Sequence, residues 1–344
     1  METLTYLREL LAVVWEVATQ KLTMRSIPDL GDIGESLAGA TVLVTGPTGG
    51  IGQQSATEFA RRGANVVLAC RNPKKGEELK KELEGAAAAE GRAVPNLEVM
   101  ELDVSSLASV RKFGEAWESL GRPLHVLVNN AGIFSMSAPY KLTSEGFESH
   151  LATNYLGHFL LTMLLLPALK RGCTQRGAPS RVVHVSSKLH YMGSVRRGDP
   201  NLSRRYTSLT AYCQSKLLQV LFSTELDARA GPSVRSVAVH PGEVLTNVIH
   251  TLPGPVRWLY ARLLAGVLLT PRQGARSTMH AATSPRVLAE EAAAPYLHSD
   301  CAPVPPSPAA RDAELARWAW AWSVDAAGLA SDRDLAPVAG GGAP

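Results

Sequence analysis

From residue 40 onward, short runs rich in valine and leucine alternate with longer segments of helical character. The runs are "TVLVTG" (41–46), "NVVLAC" (65–70), "NLEVMELDV" (96–104), "LHVLVNNAG" (124–132), "RVVHVSS" (181–187) and "VRSVAVHPG" (234–242). The helical stretches between them cover roughly 50–62, 74–90, 106–120, 145–170 and 207–230. Strands that are continuously apolar are buried on both faces, and a helix between successive strands returns the chain so that they run parallel. The expectation is an α/β fold with a doubly wound parallel sheet, in one domain over residues 40–330. In such sheets ligands sit beyond the carboxyl ends of the strands, near the point where the strand order reverses. Functional residues are therefore sought just after each strand.

Composition narrows the function without naming it. A chain of 344 residues, 45% hydrophobic and 19% charged, can bury a large core. Its net charge of +4 is not gathered into dense Lys/Arg runs, so no nucleic-acid partner is expected. Cys70, Cys173, Cys213 and Cys301 lie far apart with no C-x-x-C pair, which argues against structural zinc and against a disulfide framework, and fits a reducing compartment.

The first 39 residues read as a helical extension. Leu4, Leu7, Leu11, Val14, Ala18 and Leu22 recur at helical spacing and form one apolar stripe. Arg8, Glu9, Glu16, Lys21 and Arg25 leave the uncharged run too short to span a bilayer, and the pattern of a secretory signal is missing. Periodicity does not identify what the stripe meets. A membrane surface, the domain itself and a second copy in a homodimer all stay open, so the expected location is cytosolic or peripheral on the cytoplasmic side of a membrane. Residues 253–285 read as a helical insertion and 331–344 as a disordered tail.

"TGPTGGIG" (45–52) follows the first strand and opens a helix. Glycines there let the backbone approach a pyrophosphate, whose charge the helix N-terminus stabilises. The spacing is neither G-x-G-x-x-G nor a P-loop, and the strand-to-helix context is what carries dinucleotide binding. At the end of the second strand an NAD site would place an acid for the ribose. This chain has Arg71 instead, suited to a 2′-phosphate through charge-assisted contacts, so the expected cofactor is NADP(H).

Taken together, "TGPTGGIG", "LACRN", "LDVSSLASV", "PLHVLVNNAG", "NYLGHFLLT", "RVVHVSS", "AYCQSKLLQVLF", "HPGEVLT" and "SDCAPVPPSP" resemble the short-chain dehydrogenase/reductases, and within them the retinol-dehydrogenase-like group, over most of residues 40–330. The resemblance implies a Rossmann-like catalytic domain. It assigns Gly46, Gly50, Ile51 and Gly52 to the cofactor loop, Asp103 and Val104 to the adenine, and Asn130, Ala131 and Gly132 to a turn lining the cofactor. Asn154, Ser187, Tyr212 and Lys216 match the catalytic tetrad, with Ser187 preferred to Ser186 on spacing. Pro241, Gly242 and Thr246 match the loop that fixes the nicotinamide. The same resemblance has Lys216 bind the nicotinamide ribose and Asn154 hold a relay water, and makes 253–285 a substrate lid. Pro47 inside the glycine loop, Glu243 after Pro241-Gly242 and Pro295 depart from the family's usual residues.

The chemistry of that tetrad follows from elementary acid–base behaviour. A free phenol has a pKa near ~10 and is a poor base at neutral pH. An ammonium beside it, with a positively charged oxidised nicotinamide, favours the phenolate. Tyr212 then takes the alcohol proton in oxidation or gives it to a carbonyl oxygen in reduction, while Ser187 hydrogen-bonds the same oxygen. The expected activity is interconversion of a lipophilic alcohol and its aldehyde or ketone, with retinoids, polyprenols, steroids and long-chain aldehydes as candidates. A light-dependent protochlorophyllide reductase and a non-catalytic NADP-binding scaffold are the alternatives, since fold alone does not establish activity.

Some features resemble functional sites and have plainer readings. His150, Asn154 and His158 stand at helical spacing, yet the two histidines would lie about 12 Å apart along the axis, too far to share an ion with bonds near ~2 Å, so no metal is expected. Cys213 beside Tyr212 turns to another helix face and receives no role. The apolar stretch 255–269 fits an active-site cover, a lipid contact or a packed core or dimer helix, and "RWAWAWSV" (317–324) fits a cap on the substrate pocket or a membrane interface.

Overall fold

A computed structural model describes residues 29–134, 138–244, 268–289 and 296–329, together with Trp15, Thr19 and Gln20. Seven strands form one sheet in the order β3-β2-β1-β4-β5-β6-β7, and every neighbouring pair is parallel. The strands are β1 (Thr41–Thr45), β2 (Asn65–Cys70), β3 (Leu97–Glu101), β4 (Val126–Asn129), β5 (Ser180–Val185), β6 (Val234–Val239) and β7 (Tyr296–Leu297). The six expected strands are all present. The seventh is two residues long, and nothing in so short a run distinguishes it from a loop.

Helices α1 (Gly50–Arg61), α2 (Pro73–Ala89) and α3 (Leu107–Ser119) follow β1, β2 and β3. Local chemistry marks their starts: Asn72 caps α2 by accepting from the Lys75 N–H, and Ser106 caps α3 by accepting from the Ser109 N–H. After β4 the chain makes a π-helix at Leu151–Leu156, then α4 (Gly157–Leu164) and α5 (Leu166–Arg176). The long helix α6 (Ser208–Arg229) opens with a capping box between Thr207 and Thr210. Helices α7 (Pro271–Thr283) and α8 (Ala313–Ala326) complete the set.

Two cores lie on the two faces of the sheet. One joins Phe113, Trp117, Tyr155, Phe159, Phe222 and Trp320, and the other joins Phe59, Leu68, Val128, Val237, Ala275 and Met279. Their membership bears on two segments singled out in the sequence. Residues 271–283, assigned to a lid, form α7, buried from Gly274 to Thr283 as a layer helix. "RWAWAWSV" belongs to α8, whose Trp320 is buried against Phe159 and Phe222. Apolar side chains at helical spacing pack inward wherever a face is available: α7 lies on β5 and β6, and α8 lies on α6.

Of the apolar stretch 255–269, Leu268 and Leu269 are buried; 255–267 lies outside the described residues, as do the leucine stripe of the N-terminal extension, Pro295 and the tail 331–344. Trp15, Thr19 and Gln20 are helical, with the Thr19 hydroxyl donating to the Trp15 carbonyl. No single helix among the described residues is long and apolar enough to cross a membrane.

Candidate active site

The strand order reverses between β1 and β4, and the loops leaving these two strands are stitched together there. The hub is Thr45, whose position the sequence left unassigned. Its Oγ accepts from the backbone N–H groups of Asn130 and Ala131, both at 2.9 Å. The Asn130 side chain returns the contact, donating to the carbonyls of Thr45 at 2.9 Å and Gly46 at 3.2 Å. His158 stands behind. Its Nδ1 meets the Asn154 carbonyl at 3.2 Å and must donate, so in the neutral ring Nε2 accepts from the Thr45 hydroxyl at 3.0 Å. Burial holds this imidazole neutral by pushing its pKa down to about 4.

The glycines fit a cofactor cradle. A Cβ on Gly52 would lie 2.3 Å from the Gly46 carbonyl oxygen and 2.4 Å from the Asn130 amide, and Gly46 has φ +63°. Gly49 leads into α1 without a side-chain cap, which leaves the first-turn N–H groups, Gly50 and Ile51 among them, for an anion. Arg71 is exposed just past β2 and has no ion pair with any described residue. After β3, the Asp103 carboxylate accepts from the N–H and hydroxyl of Ser105 at 2.9 and 2.6 Å, which shapes the turn carrying buried Val104.

Asn154 lies in the π-helix, where the wider turn sets its side chain against the loop after β4. Its Oδ1 accepts from the Ile133 N–H at 2.8 Å, and Nδ2 donates to the Ile133 carbonyl at 3.1 Å and to Ser215 Oγ at 3.0 Å. Ser215 in turn donates to the Tyr212 carbonyl at 2.7 Å. Both amide protons of Asn154 are thus used by protein groups, as a brace between the Gly132 turn and α6.

The two serines after β5 divide. Ser186 donates to the Lys216 carbonyl at 2.9 Å, whereas the Ser187 hydroxyl faces that of Tyr212 and hydrogen-bonds it. One helical turn along α6, Lys216 Nζ sits 5.5 Å from the centre of the Tyr212 ring and donates to the Val185 carbonyl at 2.8 Å and Gln219 Oε1 at 3.0 Å. Burial pushes the Lys216 ammonium down to about 7. Tyr212 is raised well above the ordinary phenol range, first by burial and then by the negative charge of Glu243, with the Ser187 hydrogen bond opposing. The sequence anticipated a lysine that lowers this tyrosine; in the folded chain desolvation dominates both groups.

Glu243, which departs from the family's usual residue at this position, has its charge felt at Tyr212. Pro241 and Gly242 are buried beside it, and Thr246 lies outside the described residues. Phe134, which no motif flagged, packs its ring 4.4 Å from that of Tyr212. The look-alikes have structural partners: His150 Nδ1 lies 2.8 Å from Glu148 Oε1, and burial pushes the Cys213 thiol up to about 12.

The sequence profile of the short chain dehydrogenase family matches residues 40–254. The chain is 36% identical to a dehydrogenase/reductase SDR family member FEY of Arabidopsis thaliana, over 93% of this chain and 87% of that protein. It is 39% identical to human retinol dehydrogenase 11, over 86% of this chain and 88% of that one. A crystal structure of an uncharacterized protein from Mycobacterium paratuberculosis superposes with a TM-score of 0.68 at 35% identity, covering 88% of this chain and 98% of the other.

Proposed function

The chain belongs to the short-chain dehydrogenase/reductase family, and from that premise we propose that it is an NADP(H)-dependent oxidoreductase interconverting a lipophilic alcohol and its aldehyde or ketone. The observation that carries the reading is the pairing of Tyr212 with Ser187, with Lys216 Nζ one helical turn away and 5.5 Å from the Tyr212 ring. The cofactor would supply or accept the hydride. Gly46, Gly50, Ile51 and Gly52 would hold its pyrophosphate, and Arg71 its 2′-phosphate, which supports NADP(H) over NAD(H).

In reduction, Ser187 and Tyr212 both donate hydrogen bonds to the carbonyl oxygen, fixing the carbonyl and polarising it. Tyr212 gives its proton as the oxygen gains charge, and oxidation runs the same transfer backwards. Lys216 would reach the nicotinamide ribose from its anchorage on the Val185 carbonyl. Asn154 keeps α6 and the Gly132 turn in register. A lipophilic substrate is supported by the apolar flank of Tyr212, where the Phe134 ring packs and its chain neighbour Ile133 remains 41% exposed. The name of the human relative points to the same class.

Tyr212→Phe removes one oxygen and leaves the packing intact. Turnover of retinal with NADPH should fall by about a hundredfold or more while NADPH binding persists, as loss of a general acid predicts. Unchanged turnover in the variant would remove Tyr212 from the mechanism.

A further inference from the structure

The loop that follows β6 is gripped from an unexpected direction. Gln20, from the segment ahead of the sheet, is only 2% exposed, and its side chain pairs with both main-chain polar groups of Glu243. The Glu243 N–H donates to Gln20 Oε1 at 2.9 Å, and Gln20 Nε2 donates to the Glu243 carbonyl at 3.1 Å. This is the exchange by which two strand residues pair, made here by one side chain across 223 positions of sequence. The same carbonyl accepts from the Leu269 N–H at 2.9 Å, and Val244 bridges Leu269 in parallel register.

Three segments distant in sequence therefore meet at Glu243. Gly242 registers how closely they pack: its φ is +82°, and a Cβ there would stand 2.4 Å from Leu269 Cδ1, 3.1 Å from Gln20 Oε1 and 3.2 Å from Ser299 Cβ. Only a side chain that donates and accepts at once satisfies both Glu243 groups, and among side chains of this length a primary amide does so at every pH.

We propose that Gln20 is a positioning residue: through its amide the N-terminal segment fixes residues 241–244, and so sets the main chain from which the Glu243 charge acts on Tyr212. The kinetic part of this inference rests on the oxidoreductase reading above. Gln20 touches neither substrate nor cofactor and acts through Glu243. Freeing the loop costs two hydrogen bonds, which corresponds to roughly a tenfold or larger change in the population of the ordered loop.

The test uses the full chain with Gln20→Ala and Gln20→Glu, and follows NADPH consumption with retinal across pH. Gln20→Ala should lower kcat/KM about tenfold at every pH, with the melting temperature little changed. Gln20→Glu separates positioning from packing. A protonated carboxyl donates and accepts as the amide does, while a carboxylate only accepts and opposes the Glu243 carbonyl. Its activity relative to wild type should be restored at acid pH and lost as that carboxyl ionises. The titratable groups of the adjoining elements, Glu243 in the loop and His298 and Asp300 flanking Ser299, are common to all variants and cancel in the ratio. A pH-independent ratio for Gln20→Glu, or full activity for Gln20→Ala, would overturn the proposal.

Hydrogen exchange reads the same contact without turnover. Peptides spanning 241–244 should exchange about tenfold faster in Gln20→Ala, in line with two lost bonds. Equal exchange refutes the role of Gln20. Faster exchange in an enzyme that turns over no lipophilic carbonyl upholds the clamp and refutes the oxidoreductase reading alone.

Discussion

Thr45 offers a direct measure of how tightly the cofactor cleft is bound to the sheet. Thr45→Val keeps the shape of the side chain and replaces the hydroxyl by a methyl, so no cavity forms. What is lost is the acceptor for the N–H groups of Asn130 and Ala131, each 2.9 Å from Oγ, and the donor to His158 Nε2. Leaving a buried donor unsatisfied costs about 1–3 kcal/mol, and two partly buried ones together give an expected loss of about 2–4 kcal/mol. Against a typical stability of about 5–15 kcal/mol, that is a large fraction. Urea unfolding should show a lower midpoint with an unchanged slope, because the surface exposed on unfolding is the same. Thr45→Ser keeps the oxygen and should lose about 1 kcal/mol or less, the value of one methyl group. NADPH affinity should fall about tenfold in the valine variant, equivalent to ~1.4 kcal/mol, since binding must then reorder the 130–132 turn. A valine variant within about 0.5 kcal/mol of the serine variant would refute the hub, since ordinary surface substitutions stay inside that margin.

The remaining predictions address charge. Arg71→Ala should raise the KM for NADPH by roughly tenfold to a hundredfold and leave the KM for NADH nearly unchanged, since a charge-assisted contact to one phosphate is removed; equal effects on both cofactors would detach Arg71 from the 2′-phosphate. Glu243→Gln removes the charge that helps hold Tyr212 protonated, so the alkaline limb of the carbonyl-reduction profile should move to lower pH. A limb that moves upward, or stays, would show that the carboxylate is not felt at the phenol.

Much of the architecture was legible because it rests on local pattern. Continuous apolar runs such as "TVLVT" and "NVVLAC" identify strands buried on both faces, and β1 and β2 fall on them. The conjunction of Tyr212 and Lys216 with Asn154 and Ser187 was legible only through resemblance, since i, i+4 pairs are common on helices. Other features depend on contacts between distant segments. The π-helix at Leu151–Leu156 carries the same residue types as an α-helix, and only the bracing of Asn154 against Ile133 marks it out. Helix α7 falls within 253–285, which the resemblance makes a lid, and its small residues carry no signal of their own. Those residues instead allow close packing: a Cβ on Gly274 would lie 2.5 Å from Val244 Cγ2 and 3.3 Å from Ile51 Cγ1.

The electrostatics of Tyr212 bear on the direction in which the site is prepared to work. Lys216 was expected to stabilise a phenolate, yet its ammonium is turned into hydrogen bonds with the Val185 carbonyl and Gln219, and burial lowers its own affinity for a proton. Burial and Glu243 both raise the phenol, and the Ser187 hydrogen bond opposes them. The protein's own groups therefore keep Tyr212 in its donor form, the form that carbonyl reduction requires. Oxidation needs an added positive charge near the ring, which an oxidised nicotinamide carries and a reduced one does not. In the proposed mechanism the same tyrosine would be an acid by default and a base once the oxidised cofactor is bound. Glu243 strengthens that default, and Gln20, by holding the Glu243 main chain, ties it to the N-terminal segment.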